Sequence, residues 1–159
     1  MPTNEPAVAG RPTGGRKYWV VGDYVDIKVS GKQTNGDFAV IETVVLPGCG
    51  PPLHTHQREH ESFFVLEGEI EFTVDGKVVA AKAGSLVHGG KGIPHRFVNT
   101  GSRPAKMLIH ICPGGFEEFF IEVGTPVVDP DGPPPAPNFE KLLQTAPKYG
   151  LEIHLPSEP

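Results

Sequence analysis

The chain is poor in cysteine: Cys49 and Cys112 are the only two among 159 residues, too few for a disulfide framework. No stretch approaches the roughly 18 apolar residues that a membrane span needs. Positive charge is also short. Lys and Arg total 14 against 19 Asp and Glu, a formal charge of −5. That balance leaves no basic footprint for nucleic acid and no polybasic run for anionic lipid. Residues 1–15 have no apolar core of the kind a signal peptide carries, and they are too short and too little basic for a DNA-binding segment. The expectation is a soluble, cytoplasmic chain with no nucleic-acid or membrane partner.

Glycine and proline are abundant, 20 and 18 residues. Such a chain is full of turns and leaves little room for long helices. The length suits one domain. Residues 1–15 read as a flexible arm, residues 16–125 as a β-barrel, and residues 126–159 as a Pro-rich connector with a C-terminal helix packing on the barrel. Short apolar runs follow one another at Tyr18–Val21, Tyr24–Val29, Phe38–Leu46, Phe63–Leu66, Ile70–Val74, Val78–Ala81, Leu86–His88, His95–Val98 and Met107–Ile111. Closely spaced runs rich in Val, Ile and Phe indicate an all-β sandwich or barrel. Ile70 to Val74 alternates apolar and polar, and Asp75-Gly76 then offers the positive φ values of a tight hairpin turn. One helix is expected, capped by Asn138, with Phe139, Leu142, Leu143 and Ala146 on its apolar face and Pro147 at its end. The segment 115–123 is short, apolar and a second helical candidate.

Chemistry concentrates in Leu53-His54-Thr55-His56-Gln57-Arg58-Glu59-His60-Glu61. On a strand, His54 and His56 project from one face, because side chains alternate. Two imidazoles on one face can chelate a divalent ion, and the Glu61 carboxylate completes a triad that leaves coordination positions open. His95, after Pro94, starts another strand and offers a fourth ligand from across a barrel. A His-x-His pair alone is weak evidence, since such pairs are more often plain surface or core features. Here the pair sits in a longer frame. Gly48 is followed after five residues by His54, after one by His56, after four by Glu61 and after six by Gly68; Gly84 is followed after seven by Gly92, after two by His95 and after three by Asn99.

This frame resembles the two signature motifs of the cupin superfamily, with Gly90 standing where the second motif usually has proline. The segments Pro47–His54, Arg58–Glu61 and Pro113–Phe120 and the Tyr149–Ile153 stretch further resemble small single-domain quercetin 2,3-dioxygenase-like cupins, apart from His60 in place of a usual aspartate. The resemblance implies a double-stranded β-helix, or jelly-roll, barrel. It implies one divalent transition metal per chain (Fe, Ni, Co, Mn, Cu or Zn) held by His54, His56, Glu61 and His95. It also implies a homodimer that buries the sheet edges a jelly roll leaves open. The activity implied is dioxygenase action on a flavonol-like substrate, with dioxygen as co-substrate and Glu61 as the catalytic base for the substrate hydroxyl. Cupins share one barrel among many chemistries. A metal-cupin isomerase, decarboxylase or lyase on a small polar substrate therefore stands as an alternative, and so does a non-enzymatic binding module.

Strand parity carries the pocket walls. If Glu61 faces inward, so do Phe63 and Val65; if His95 does, so do Phe97 and Asn99. Phe63 and Phe97 are the candidate substrate-binding residues, with plain core packing as the simpler reading of both. Phe116, Phe119 and Phe120 read as an apolar face or as a lid. His88 and His110 read as core histidines, His154 as surface, Cys49 and Cys112 as free structural thiols, and Glu117-Glu118 as a solvated face.

Overall fold

The computed structural model describes residues 16–157, so the expected N-terminal arm lies outside the described residues. Twelve strands form two antiparallel sheets. They are β1 (Arg16–Val20), β2 (Asp23–Val29), β3 (Ala39–Val45), β4 (His54–His56), β5 (His60–Glu67), β6 (Glu69–Val74), β7 (Lys77–Lys82), β8 (Leu86–Gly89), β9 (His95–Val98), β10 (Ala105–Cys112), β11 (Thr125–Pro126) and β12 (Leu151–Ile153). One sheet has the order β11-β1-β2-β3-β10-β5-β8 and the other β12-β4-β9-β6-β7. This is the expected all-β jelly roll.

The nine apolar runs all become strands. Alternation decides which side chains meet between the sheets. In β3 the burial alternates residue by residue, with Ala39, Ile41, Thr43 and Val45 inside. In β5 Glu61, Phe63 and Val65 point inward, and in β9 His95 and Phe97 do. Phe63 from the first sheet meets Phe72 and Phe97 from the second at centroid distances of 5.2 and 5.8 Å. Each such ring removes apolar surface worth roughly 1.5–3 kcal/mol from water. The β6–β7 hairpin turns on Asp75 and Gly76 with φ of 50° and 75°, as the sequence suggests.

Among the described residues, two short α-helices complete the fold. The first, α1 (Glu117–Val123), takes up the segment given as a helical candidate. The second, α2 (Phe139–Thr145), begins where Asn138 accepts a hydrogen bond from the Lys141 backbone N–H and gives way at Ala146 to a 3-10 turn containing Pro147. Of its predicted apolar face only Leu142 and Ala146 are buried; Phe139 and Leu143 lie in water. The reason is length: a two-turn helix on a curved barrel wall reaches it along one row, and Leu142 and Ala146, four apart, make that row.

Several expectations are corrected. His88 and His110 are exposed, not core residues. Each occupies an outward position beside inward Val87 or Ile109 and Ile111. Glu117 is not solvated. It is 1% exposed, and the backbone N–H groups of Gly31 and Gly115 donate to its carboxylate, which ties the β2–β3 loop to α1. His154 is half-buried, its Nε2 2.8 Å from the Thr55 hydroxyl.

Candidate metal centre

Two sheets build one cluster. β4 presents His54 and His56 on the same face, β9 presents His95, and β5 in the opposite sheet presents Glu61. His54 is directly opposite His95 in the β4–β9 pairing. One ligand atom from each of the four residues lies within 4.8 Å of all the others, and all four residues are buried. The spacing in sequence thus becomes a compact group of three imidazoles and one carboxylate.

The hydrogen-bond partners orient the rings. His54 Nδ1 lies 2.8 Å from the Pro52 carbonyl, and His95 Nδ1 lies 2.9 Å from the Ile93 carbonyl. A carbonyl only accepts, so both rings carry a proton on Nδ1, the arrangement that frees Nε2 for a metal. His95 Nε2 is 2.9 Å from Glu61 Oε2, and His56 Nε2 is 3.2 Å from Glu61 Oε1. His56 Nδ1 faces a second carboxylate, Glu59 Oε2, at 3.4 Å. His56 and His95 therefore have acceptors on both sides. Such buried rings are satisfied if each takes a second proton, or if a cation stands between the Nε2 atoms and Glu61. One divalent ion supplies in a single position the positive charge that this donor set calls for, and three nitrogens with one oxygen suit a first-row transition metal.

The charges follow from burial and neighbours. Burial pushes His54 down to about 3, so it is neutral. Burial also lowers His56, but the Glu61 and Glu59 carboxylates outweigh it and lift the ring to about 9. Burial opposes ionisation of Glu61, yet the neighbouring imidazoles hold it well below the usual carboxylate range. The carboxylate is thus the ionised form that both ligation and proton acceptance require.

Above the cluster lies a cavity of about 680 Å³, counting its open mouth. His54, His56 and Glu61 line it, but His95 does not. Phe63 and Phe97, 1% and 6% exposed, belong both to the core and to the wall. Phe116 packs edge-on against His56 at 4.4 Å and lines the cavity with Phe119 and Phe120. Those rings are wall and apolar face at once. Leu142 of α2 and Leu151 and Ile153 of β12 close another side. Among the described residues, the lining holds no Lys or Arg.

Four residues of the site were not singled out from sequence. Glu59 is 6% exposed and backs His56; its place three residues after His56 was the available signal. Gly89 is opposite Glu61 in the β5–β8 pairing, and a Cβ there would stand 3.0 Å from the His95 ring. Asp23 and Thr43 line the cavity from β2 and β3. Asn99, predicted inward, is buried but bonds to the Val45 and Arg103 carbonyls and the Gly101 N–H, so it braces a loop. His60 points away from the cluster, accepting from the Lys91 N–H and stacking on His88 at 5.7 Å.

The chain is similar to known proteins. A family model described as a cupin domain matches residues 41–112. Quercetin 2,3-dioxygenase of Bacillus subtilis (strain 168) is 29% identical over 127 residues, covering 79% of this chain and 37% of that protein. An oxalate-binding protein of Thermotoga maritima is 37% identical over 62 residues, 39% of this chain and 51% of that protein. The chain thus spans about half or less of the length of these relatives. The crystal structure of a predicted oxalate decarboxylase from Thermotoga maritima superposes with a TM-score of 0.59 at 24% identity, over 67% of this chain and 99% of that one. This jelly roll, with its three histidines and glutamate in the motif frame, is similar to cupin-domain proteins along residues 41–112 and shares their fold.

Proposed function

We propose that this cupin is a metal-dependent dioxygenase of planar, hydroxylated aromatic substrates of the flavonol type. The observation that carries this reading is the cavity lining. Among the described residues, five phenylalanines surround the approach to the cluster, and the lining includes neither lysine nor arginine. Such walls grip a flat ring system and exclude water from it. An anionic acid or a phosphorylated sugar would find no cation there beyond the metal. Similarity to quercetin 2,3-dioxygenase over most of this chain supports the same substrate class.

In this reading His54, His56, Glu61 and His95 hold the ion. A divalent transition metal supplies Lewis acidity toward a substrate hydroxyl and a centre for oxygen chemistry. Glu61 accepts the hydroxyl proton. A carboxylate is a weak base, so the transfer works best for an acidified hydroxyl, as an enol is. Phe63 and Phe97 flank the ring system, and Phe116 keeps His56 in place while closing the wall.

The test is aerobic incubation of metal-loaded protein with quercetin, following its absorbance and carbon monoxide release. Quercetin should disappear only when metal and dioxygen are both present. Glu61→Gln, which keeps an oxygen ligand but cannot take the proton, should lose turnover by more than it loses metal. If no plausible ion supports consumption, the dioxygenase reading fails. A second reading rests on the oxalate-binding relative, 37% identical over 62 residues: a module that binds a small carboxylate at the metal without turnover. Saturable binding of oxalate and none of quercetin would favour it.

A further inference from the structure

The β1–β2 connection is a two-residue turn in which Val20 pairs with Asp23. Val21 has φ of 51° and Gly22 has φ of 88°. Glycine adopts that conformation freely, but a β-branched valine does so rarely and at a cost. The turn places the side chains of Val21 and Asp23 in the cavity wall, with those of His54, His56 and Glu61. Asp23 is only 5% exposed; its Oδ1 is buried, its Oδ2 is the carboxyl oxygen left accessible, and neither has a hydrogen-bond partner among the described residues. A carboxyl oxygen that is accessible in a ligand cavity and has no partner in the chain is open to one from outside it. Thr43, the other polar residue of the lining outside the metal cluster, already donates its hydroxyl proton to the Tyr24 carbonyl at 3.0 Å. It can offer a ligand only an acceptor.

We propose that Asp23 is a ligand-binding residue of the cavity, presenting a neutral carboxylic acid that donates a hydrogen bond to an oxygen of the aromatic molecule held at the His54–His56–Glu61–His95 cluster. This rests on the aromatic-substrate reading above and adds a second recognition point to it. Burial pushes the Asp23 carboxyl up to about 8, which keeps its proton in place at neutral pH. The acid form donates, whereas the carboxylate would only accept and would repel a deprotonated ligand. Together, Asp23 as donor and Thr43 as acceptor fit an oxygen-rich ring system better than a hydrocarbon one. An aliphatic residue would suit the apolar wall better, so an aspartate here is explained by binding rather than by stability.

The test measures binding of two probes to metal-loaded wild type, Asp23→Asn and Asp23→Ala by calorimetry. Quercetin is the larger, polyhydroxylated probe; tropolone is a small planar chelator that binds through its two oxygens at the metal. Wild type should bind both. Asp23→Ala should weaken quercetin about tenfold, the size of one lost buried hydrogen bond. It should leave tropolone affinity and metal content unchanged. Asp23→Asn keeps an N–H donor and should stay within about threefold of wild type for quercetin. If Asp23→Ala binds quercetin as tightly as wild type, or loses both probes equally, the role of Asp23 is overturned while the aromatic-substrate reading stands. If wild type binds tropolone but not quercetin, or binds neither, the aromatic-substrate reading falls and this inference falls with it.

Discussion

His95 sits between two acceptors, the Ile93 carbonyl and the Glu61 carboxylate, and His56 sits between two carboxylates. With both carboxylates ionised, no arrangement of a single proton on each ring satisfies that geometry; a second proton on each ring or one metal ion does. The expected consequence is that the His54→Ala/His56→Ala double variant retains almost none of the metal that wild type holds after dialysis, measured by elemental analysis. Full occupancy in that variant would refute the assignment. Asp23 gives a different residue-scale prediction. Its folded pKa of about 8 lies above the ordinary 3.8, so the native state keeps a proton that the unfolded chain releases between those values. Stability from this group is complete below about pH 4 and is lost as pH rises through 8, at about 1.4 kcal/mol per pH unit in between. Its titratable neighbour Cys49 is itself pushed upward, by burial and then by Asp23, and stays neutral across that window. Asp23→Asn should therefore melt with wild type near pH 4 and well above it near pH 8, compared in metal-free buffer. Equal melting temperatures at both pH values would show that Asp23 is not held as the acid.

At the scale of the element, short strands do the positioning. β4 is three residues long, yet it carries two of the four ligands. Their common facing is alternation, while their fixed depth comes from neighbours: β9 on one side and β12 on the other. Thr55, between the two ligands, points the other way and bonds to His154 just after β12. β8 contributes an absence instead. With no side chain at Gly89, the His95 ring lies close over the strand, where an added Cβ would stand 3.0–3.1 Å from three ring atoms. Those contacts are tight enough to push the ring by a few tenths of an ångström. Gly89→Ala should fold normally and bind metal at least several-fold more weakly by competition with a chromophoric chelator. Unchanged affinity would mean that the ring has room to give.

For the whole molecule, both sheets end in strands that expose apolar side chains. β8 shows Leu86, paired with exposed Phe64 of β5, and β7 shows Val78 and Val79. Open edges of this kind invite pairing with another chain. We expect a homodimer that covers Leu86 and Phe64, and sedimentation at micromolar concentration should give twice the chain mass for wild type and the chain mass for Leu86→Glu. A wild-type monomer at that concentration would remove the expectation. No helix among the described residues is long and apolar enough to cross a membrane.

Local pattern was enough for much of this. Nine strands were legible because each is a short run of β-branched and aromatic residues between turn formers. The inward set Glu61, Phe63, Val65, His95 and Phe97 was legible because a strand repeats every two residues. That same alternation would have turned His110 outward, between Ile109 and Ile111, had it been applied there. The sequence by itself therefore determined nine of the twelve described strands and the facing of the ligands along a strand, since these are periodic and local, and it carried the motif frame by resemblance. Only the tertiary structure decided what surrounds them. One of the two partners of the Glu117 carboxylate comes 86 residues earlier in the chain, at Gly31. Asp23 becomes a cavity residue because the turn at Val21 and Gly22 folds its strand end over a site built mainly by residues 54–61 and 95. Burial and missing partners arise when distant segments meet, and no local pattern records them.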